Sequence, residues 1–129
     1  MRRINAHDHR INALDTNADG TVLVSGSYDR TVKAWDLRSS SRNPIQSLTD
    51  FSDSVTSVAV TESQIIAGGV DGFVNIYDLR AGRLFSDSLS DPITHVTCTN
   101  DKKCTLSMCI GGRIKLLELS TGRMLQVTS

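Results

Sequence analysis

Leu23 to Leu37 reads LVSGSYDRTVKAWDL, and the pattern returns as IIAGGVDGFVNIYDL from Ile65 to Leu79 and as TLSMCIGGRIKLLEL from Thr105 to Leu119. Superposed, Asp29 falls on Asp71 and then Gly111, while Trp35 falls on Tyr77 and then Leu117, at offsets of 42 and then 40 residues. Fixed-period self-similarity of this length is the sequence form of a structure built from stacked, equivalent units.

Each unit divides into short β-branched runs and turns. INALDTN, VTSVAVT and ITHVTCT begin at Ile11, Val55 and Ile93, and lead through NADG, TES and NDKK into a second run. The second run meets the third across YDR, VDG or IGG. Asp and Gly there supply side-chain bonds to the backbone and positive φ, which tight hairpins require. SSSRNPIQSL after the first unit and AGRLFSDSL after the second supply a loop and a weaker fourth strand. Four antiparallel strands about every 40 residues describe a propeller blade. A helical solenoid would need apolar residues at spacings of 3, 4 and 7, which these runs break. A two-sheet sandwich fits the strands but not the alignment of whole units. The strands lack a clean polar face, as expected of blades covered on both sides by their neighbours.

Composition narrows the function classes. At 129 residues and 39% hydrophobic content the chain can bury a core, and 14 basic residues balance 14 acidic ones. No global field steers nucleic acid or an anionic membrane, so neither is an expected partner. No apolar run approaches the roughly 18 residues a bilayer span needs, and MRRINAHDHR lacks the apolar middle of a signal peptide. Cys98, Cys104 and Cys109 are odd in number and spaced unlike metal-ligand pairs, which favours reduced, intracellular thiols filling strand positions.

SGSYDRTVKAWDLR resembles the signature of the WD-repeat family, and the likeness runs over nearly all of the chain, three times. It implies an all-β propeller, with repeats at approximately 6–48, 49–87 and 88–128. It also implies a hydrogen-bonded tetrad of a His before the first strand, a Ser in the second, the hairpin Asp and the third-strand Trp: His7, Ser25, Asp29 and Trp35. The second repeat keeps Asp71 with Tyr77 in place of Trp, and the third has Gly111 and Leu117. AGGVDGFVNIYDLRAGRLFSD and PITHVTCTNDKKCTLSMCIGGRIKLLELSTGRML are similar to the middle blades of a branch that organises mitogen-activated protein kinase cascades. That likeness implies a seven-bladed parent, a scaffold that also associates with the splicing machinery, and a location in cytoplasm and nucleus. Closed propellers have four to eight blades, so three blades are expected to form an open arc of a longer ring. With MRRIN reading as the tail of a preceding strand, the chain by itself is expected to be oligomeric or aggregation-prone through apolar blade faces of the Val32, Val74 and Ile114 kind.

Several residues invite a chemical reading. Ser25, His7 and Asp29 have the types of a nucleophilic triad, but the tetrad accounts for them and no Gly-x-Ser-x-Gly elbow surrounds the serine. His7, Asp8 and His9 could face a metal, yet His95 is the one other histidine and no second ligand pair accompanies it. GVDG and GGR lack phosphate-cradle spacing and a following helix. We therefore expect a non-enzymatic module with no cofactor, no metal and no small-molecule substrate. Tyr28, Val70 and Ile110, each before the hairpin Asp or its equivalent, put a large apolar group at the same turn tip in three neighbouring units. They are candidate partner-binding residues, with His9, Arg10 and Arg30 as a polar margin. On the opposite rim, Arg38 and Arg80 of WDLR and YDLR resemble the box by which some WD-repeat proteins dock onto the adaptor of cullin-type ubiquitin ligases. That gives a second expected role, as a substrate receptor.

Overall fold

The structure is a computed structural model that describes residues 4–38, 43–49, 51–79, 82–89, 91–99, 103–118 and 124–128. Twelve strands form three sheets of four. The first holds β1 (Ile11–Thr16), β2 (Val22–Ser27), β3 (Val32–Asp36) and β4 (Gln46–Leu48). The second holds β5 (Val55–Val60), β6 (Gln64–Gly69), β7 (Phe73–Asp78) and β8 (Arg83–Ser88). The third holds β9 (Ile93–Cys98), β10 (Cys104–Cys109), β11 (Ile114–Glu118) and β12 (Met124–Thr128). Within each sheet consecutive strands pair antiparallel, in the order of a meander.

The turns form where their chemistry demands. Asn17 Oδ1 accepts from the backbone N–H of Thr21 at 2.9 Å and of Val22 at 3.1 Å, so the side chain itself closes the NADG turn. At the β2–β3 hairpin Arg30 adopts φ 71°, the left-handed region that glycine occupies most easily. The equivalent residues of the other two hairpins are Gly72 and Gly112.

The core is not one mass but two slabs, each between neighbouring sheets. Val24, Val32 and Ala34 of the first sheet pack with Val55, Val58 and Ile65 of the second. Ile66, Val74 and Ile76 on the second sheet's other face pack with Ile93, Val96 and Leu117 of the third. This explains the muted alternation: β6 is buried at Ile65 and Ile66 alike, because its two faces meet different neighbours. Val32 and Val74 lie inside these interfaces, whereas Ile114 is 43% exposed on the third sheet's far face.

Candidate interaction rim

The four residues expected to form a tetrad come together around the first sheet. His7 Nε2 lies 2.7 Å from Ser25 Oγ, His7 Nδ1 lies 2.9 Å from Asp29 Oδ2, and the Trp35 indole N–H donates to Ser25 Oγ at 3.1 Å. One proton arrangement satisfies them all: Trp35 gives to Ser25, Ser25 gives to Nε2, and Nδ1–H gives to the carboxylate. Thr31, absent from the sequence reading, completes the group by donating its hydroxyl to Asp29 Oδ1 at 2.5 Å and its N–H at 3.0 Å. Its signal was its place two residues beyond a turn Asp. The triad-like trio cannot meet a substrate as it stands: Ser25 is wholly buried and its oxygen already receives the indole proton.

Burial alone would raise the Asp29 carboxyl, but the bonds from Thr31 and His7 outweigh it and hold the group below its ordinary 3.8. A depressed carboxyl contributes stability that is present above the unfolded value and lost as pH falls through the lowered one. Thermal melts across the acid range should therefore show stability falling below about pH 4, with a shallower fall in Asp29→Asn. Parallel acid limbs for the two proteins would contradict this. In the second sheet Asp71 has no histidine; its Oδ2 accepts from Ser52 Oγ at 2.9 Å and its Oδ1 from the Phe73 N–H at 3.0 Å. The buried Cys109 thiol is pushed up by that burial, which suits packing rather than reactivity.

The three turn tips are fixed by one repeated bond. The N–H of Tyr28 donates to Arg10 O, that of Val70 to Ser54 O and that of Ile110 to Pro92 O, at 3.0, 3.0 and 2.9 Å. Each tip is thereby tied to the residue entering its sheet's first strand, or one close before it. Tyr28, Val70 and Ile110 stand 55%, 40% and 59% exposed. Tyr28 and Val70 share a cleft of about 350 Å³ with Arg10, Asn12, Ser54 and Thr56; Ile110 is not part of its lining. On the other side of Tyr28 a polar cleft of about 460 Å³ is lined by Asp8, His9, Asp29, Arg30 and Asp53 among others. The ring itself is held edge-on to His9 at 5.9 Å and under the Arg10 guanidinium at 5.8 Å from its centroid. His9 and Arg10 thus contact the Tyr28 ring, while Arg30 lines the polar cleft beside it. Asn12, Ser54 and Thr56 went unnoticed in the sequence, although Asn12, Thr56 and Thr94 recur as the second residue of each first strand.

On the opposite rim Arg38 is exposed, its N–H donating to Asp36 Oδ1 at 2.9 Å while its guanidinium sits 3.9 Å from the same oxygen. Arg80 lies outside the described residues. Among the described residues no helix is long and apolar enough to cross a membrane.

Consecutive four-stranded meanders packed face to face through apolar slabs define an arc of a β-propeller. The chain belongs to the WD40 family: the model described as "WD domain, G-beta repeat" matches residues 1–36 and 42–78. Domains of this family generally serve protein interaction rather than catalysis. The chain is 35% identical over 145 residues to the WD repeat domain-containing protein 83 homolog of Dictyostelium discoideum, covering 91% of this chain and 45% of that protein. It is 40% identical over 88 residues to WD repeat domain-containing protein 83 of Rattus norvegicus, covering 68% of this chain and 28% of that one. The chain thus spans less than half the length of the curated relatives it matches. Among solved structures, the computationally designed Ika8 protein shares the fold at a TM-score of 0.83 and 24% identity, over 97% of this chain and 38% of that one.

Proposed function

We propose that this chain contributes blades to a protein-interaction scaffold of the WD repeat domain 83 kind, which holds components of a mitogen-activated protein kinase cascade and of the splicing machinery in cytoplasm and nucleus. The observation that carries the reading is the Tyr28 tip. An exposed aromatic is clamped between His9 and Arg10 and shares an apolar-edged cleft with Val70 from the neighbouring sheet. Amphipathic aromatics with a fixed rotamer are the usual anchors of protein interfaces, because little side-chain entropy is lost on binding. The reading supposes a wider ring, of which these blades present one part of the rim.

The test is capture. The chain with Tyr28, Val70 and Ile110 all changed to Ser should lose retention of kinase-cascade and splicing proteins in pull-downs probed for each. Its melting temperature should move by no more than about 2 °C, since exposed positions contribute little to stability. Undiminished retention would remove the rim from the interface. Retention of a cullin adaptor instead, lost on Arg38→Ala, would favour the opposite rim and a role in ubiquitin ligation.

A further inference from the structure

Each of the two internal interfaces is keyed by a glycine. A Cβ on Gly26 of β2 would lie 2.6 Å from Val55 Cγ1 and 2.9 Å from Val58 Cγ1. A Cβ on Gly68 of β6 would lie 2.6 Å from Ile93 Cγ2 and 3.0 Å from Val96 Cγ1. In both cases a branched pair from the next sheet's first strand occupies the space a side chain would need. Register fixes the equivalent place in the third sheet. Gly26 pairs with Ala13 and Val32, Gly68 pairs with Ser57 and Val74, and Met108 pairs with His95 and Ile114. The hole is therefore filled by a methionine, 44% exposed. Its neighbour across the strand is enlarged in step, from Ala13 and Ser57 to His95, whose Nδ1 lies 3.4 Å from Ser57 Oγ.

The other end of the chain presents the opposite half of the key. Ile11 and Leu14 occupy the registers of Val55 and Val58, and stand 42% and 59% exposed. A polar clasp accompanies each internal interface: Asn12 Nδ2 donates to Val55 O at 2.8 Å, and Thr56 Oγ1 reaches Ile93 O at 2.5 Å. Thr56 Oγ1 also lies 3.1 Å from Gly68 O of its own sheet, and Thr94, the third residue of this series, makes the equivalent bond to Met108 O at 3.1 Å.

We propose that the far face of the third sheet, formed by Leu106, Met108, Ile114 and Leu116, is a size-selective docking face. It takes a four-stranded sheet whose first strand carries Gly, Ala or Ser at the Val55 and Val58 registers, and the Thr94 hydroxyl then meets that strand's first carbonyl as Thr56 meets Ile93 O while staying beside Gly68 O. It refuses a sheet with branched residues there, and so refuses the first sheet of a second copy of this chain. Continuity with the two internal interfaces identifies the occupant as a sheet of the same kind. The Met108 side chain sets the size of the pair that can face it, because close-packed interfaces do not absorb extra methylenes without displacement.

Sedimentation velocity of the full chain over a range of concentrations tests this, using the chain's own first sheet as the probe. Ile11→Ala with Leu14→Ala gives that sheet a small pair. This variant is expected to associate about tenfold or more strongly than the unaltered chain, through its Met108 face, although it has lost apolar surface. Met108→Gly with Ile11 and Leu14 intact should gain association too, and Met108→Ala, which keeps the obstructing Cβ, should gain much less. If the Ile11→Ala, Leu14→Ala protein associates no better than the unaltered chain, the proposal falls and the face is merely sticky. Equal gains for Met108→Ala and Met108→Gly would also overturn it. Should Met108→Gly fail to fold, the first comparison still decides.

Discussion

Trp35→Ala is expected to cost about 3–5 kcal/mol, the scale of large aromatic truncations in a core. The indole is 2% exposed and does two things at once: it fills the first sheet and donates to Ser25 Oγ. Its loss leaves a cavity and removes one of the protons on which the Trp35, Ser25, His7 and Asp29 chain depends. Chemical denaturation followed by circular dichroism would measure it. A midpoint within error of the unaltered protein would mean that neither the packing nor the bond contributes as the geometry requires.

Ile93→Ala should cost about 2–5 kcal/mol, with the upper part of the range expected if the interface cannot collapse. Ile93 is wholly buried and inserts into the gap over Gly68, so the void would open between two sheets rather than within one. The same residue's carbonyl accepts from Thr56, which holds the sheets at a fixed spacing and limits relaxation. Urea titration of this variant beside Leu117→Ala, buried in the same slab, would show whether the loss follows the interface. A cost below that of an exposed substitution would contradict the knob-in-gap packing.

Much of this fold was legible because the repeat is written in turn chemistry. Asp29, Asp71 and Gly111 mark equivalent hairpins whatever the strands between them contain, and the meander follows from that spacing. His7, Ser25, Asp29 and Trp35 were legible through family resemblance, since nothing local links residues 22 apart such as His7 and Asp29. Thr31 was missed because a threonine after a turn reads equally well as a strand residue. Facing was not legible: in β6 both Ile65 and Ile66 are apolar and buried, so no alternation tells which one meets which neighbour. The significance of Gly26, Gly68 and Met108 was hidden for a related reason. A glycine in a strand looks like weak β propensity until the Cβ it lacks is placed against the residues opposite. The clustering of Tyr28 with Val70 depends on how the first and second sheets face one another, which no periodicity encodes.

The division of the core into two slabs has a consequence for how a disturbance spreads. The middle sheet contributes to both slabs, so the chain is a linear series of two couplings rather than a network. In such a series stability is a sum of intrinsic terms and nearest-neighbour terms, as in a row of coupled spins. A terminal sheet can open while the other two remain paired, but loss of the middle one uncouples everything. Backbone protection should therefore peak at β5 and β6 and decline outward in both directions. That gradient makes the central sheet the template against which the two beside it are ordered.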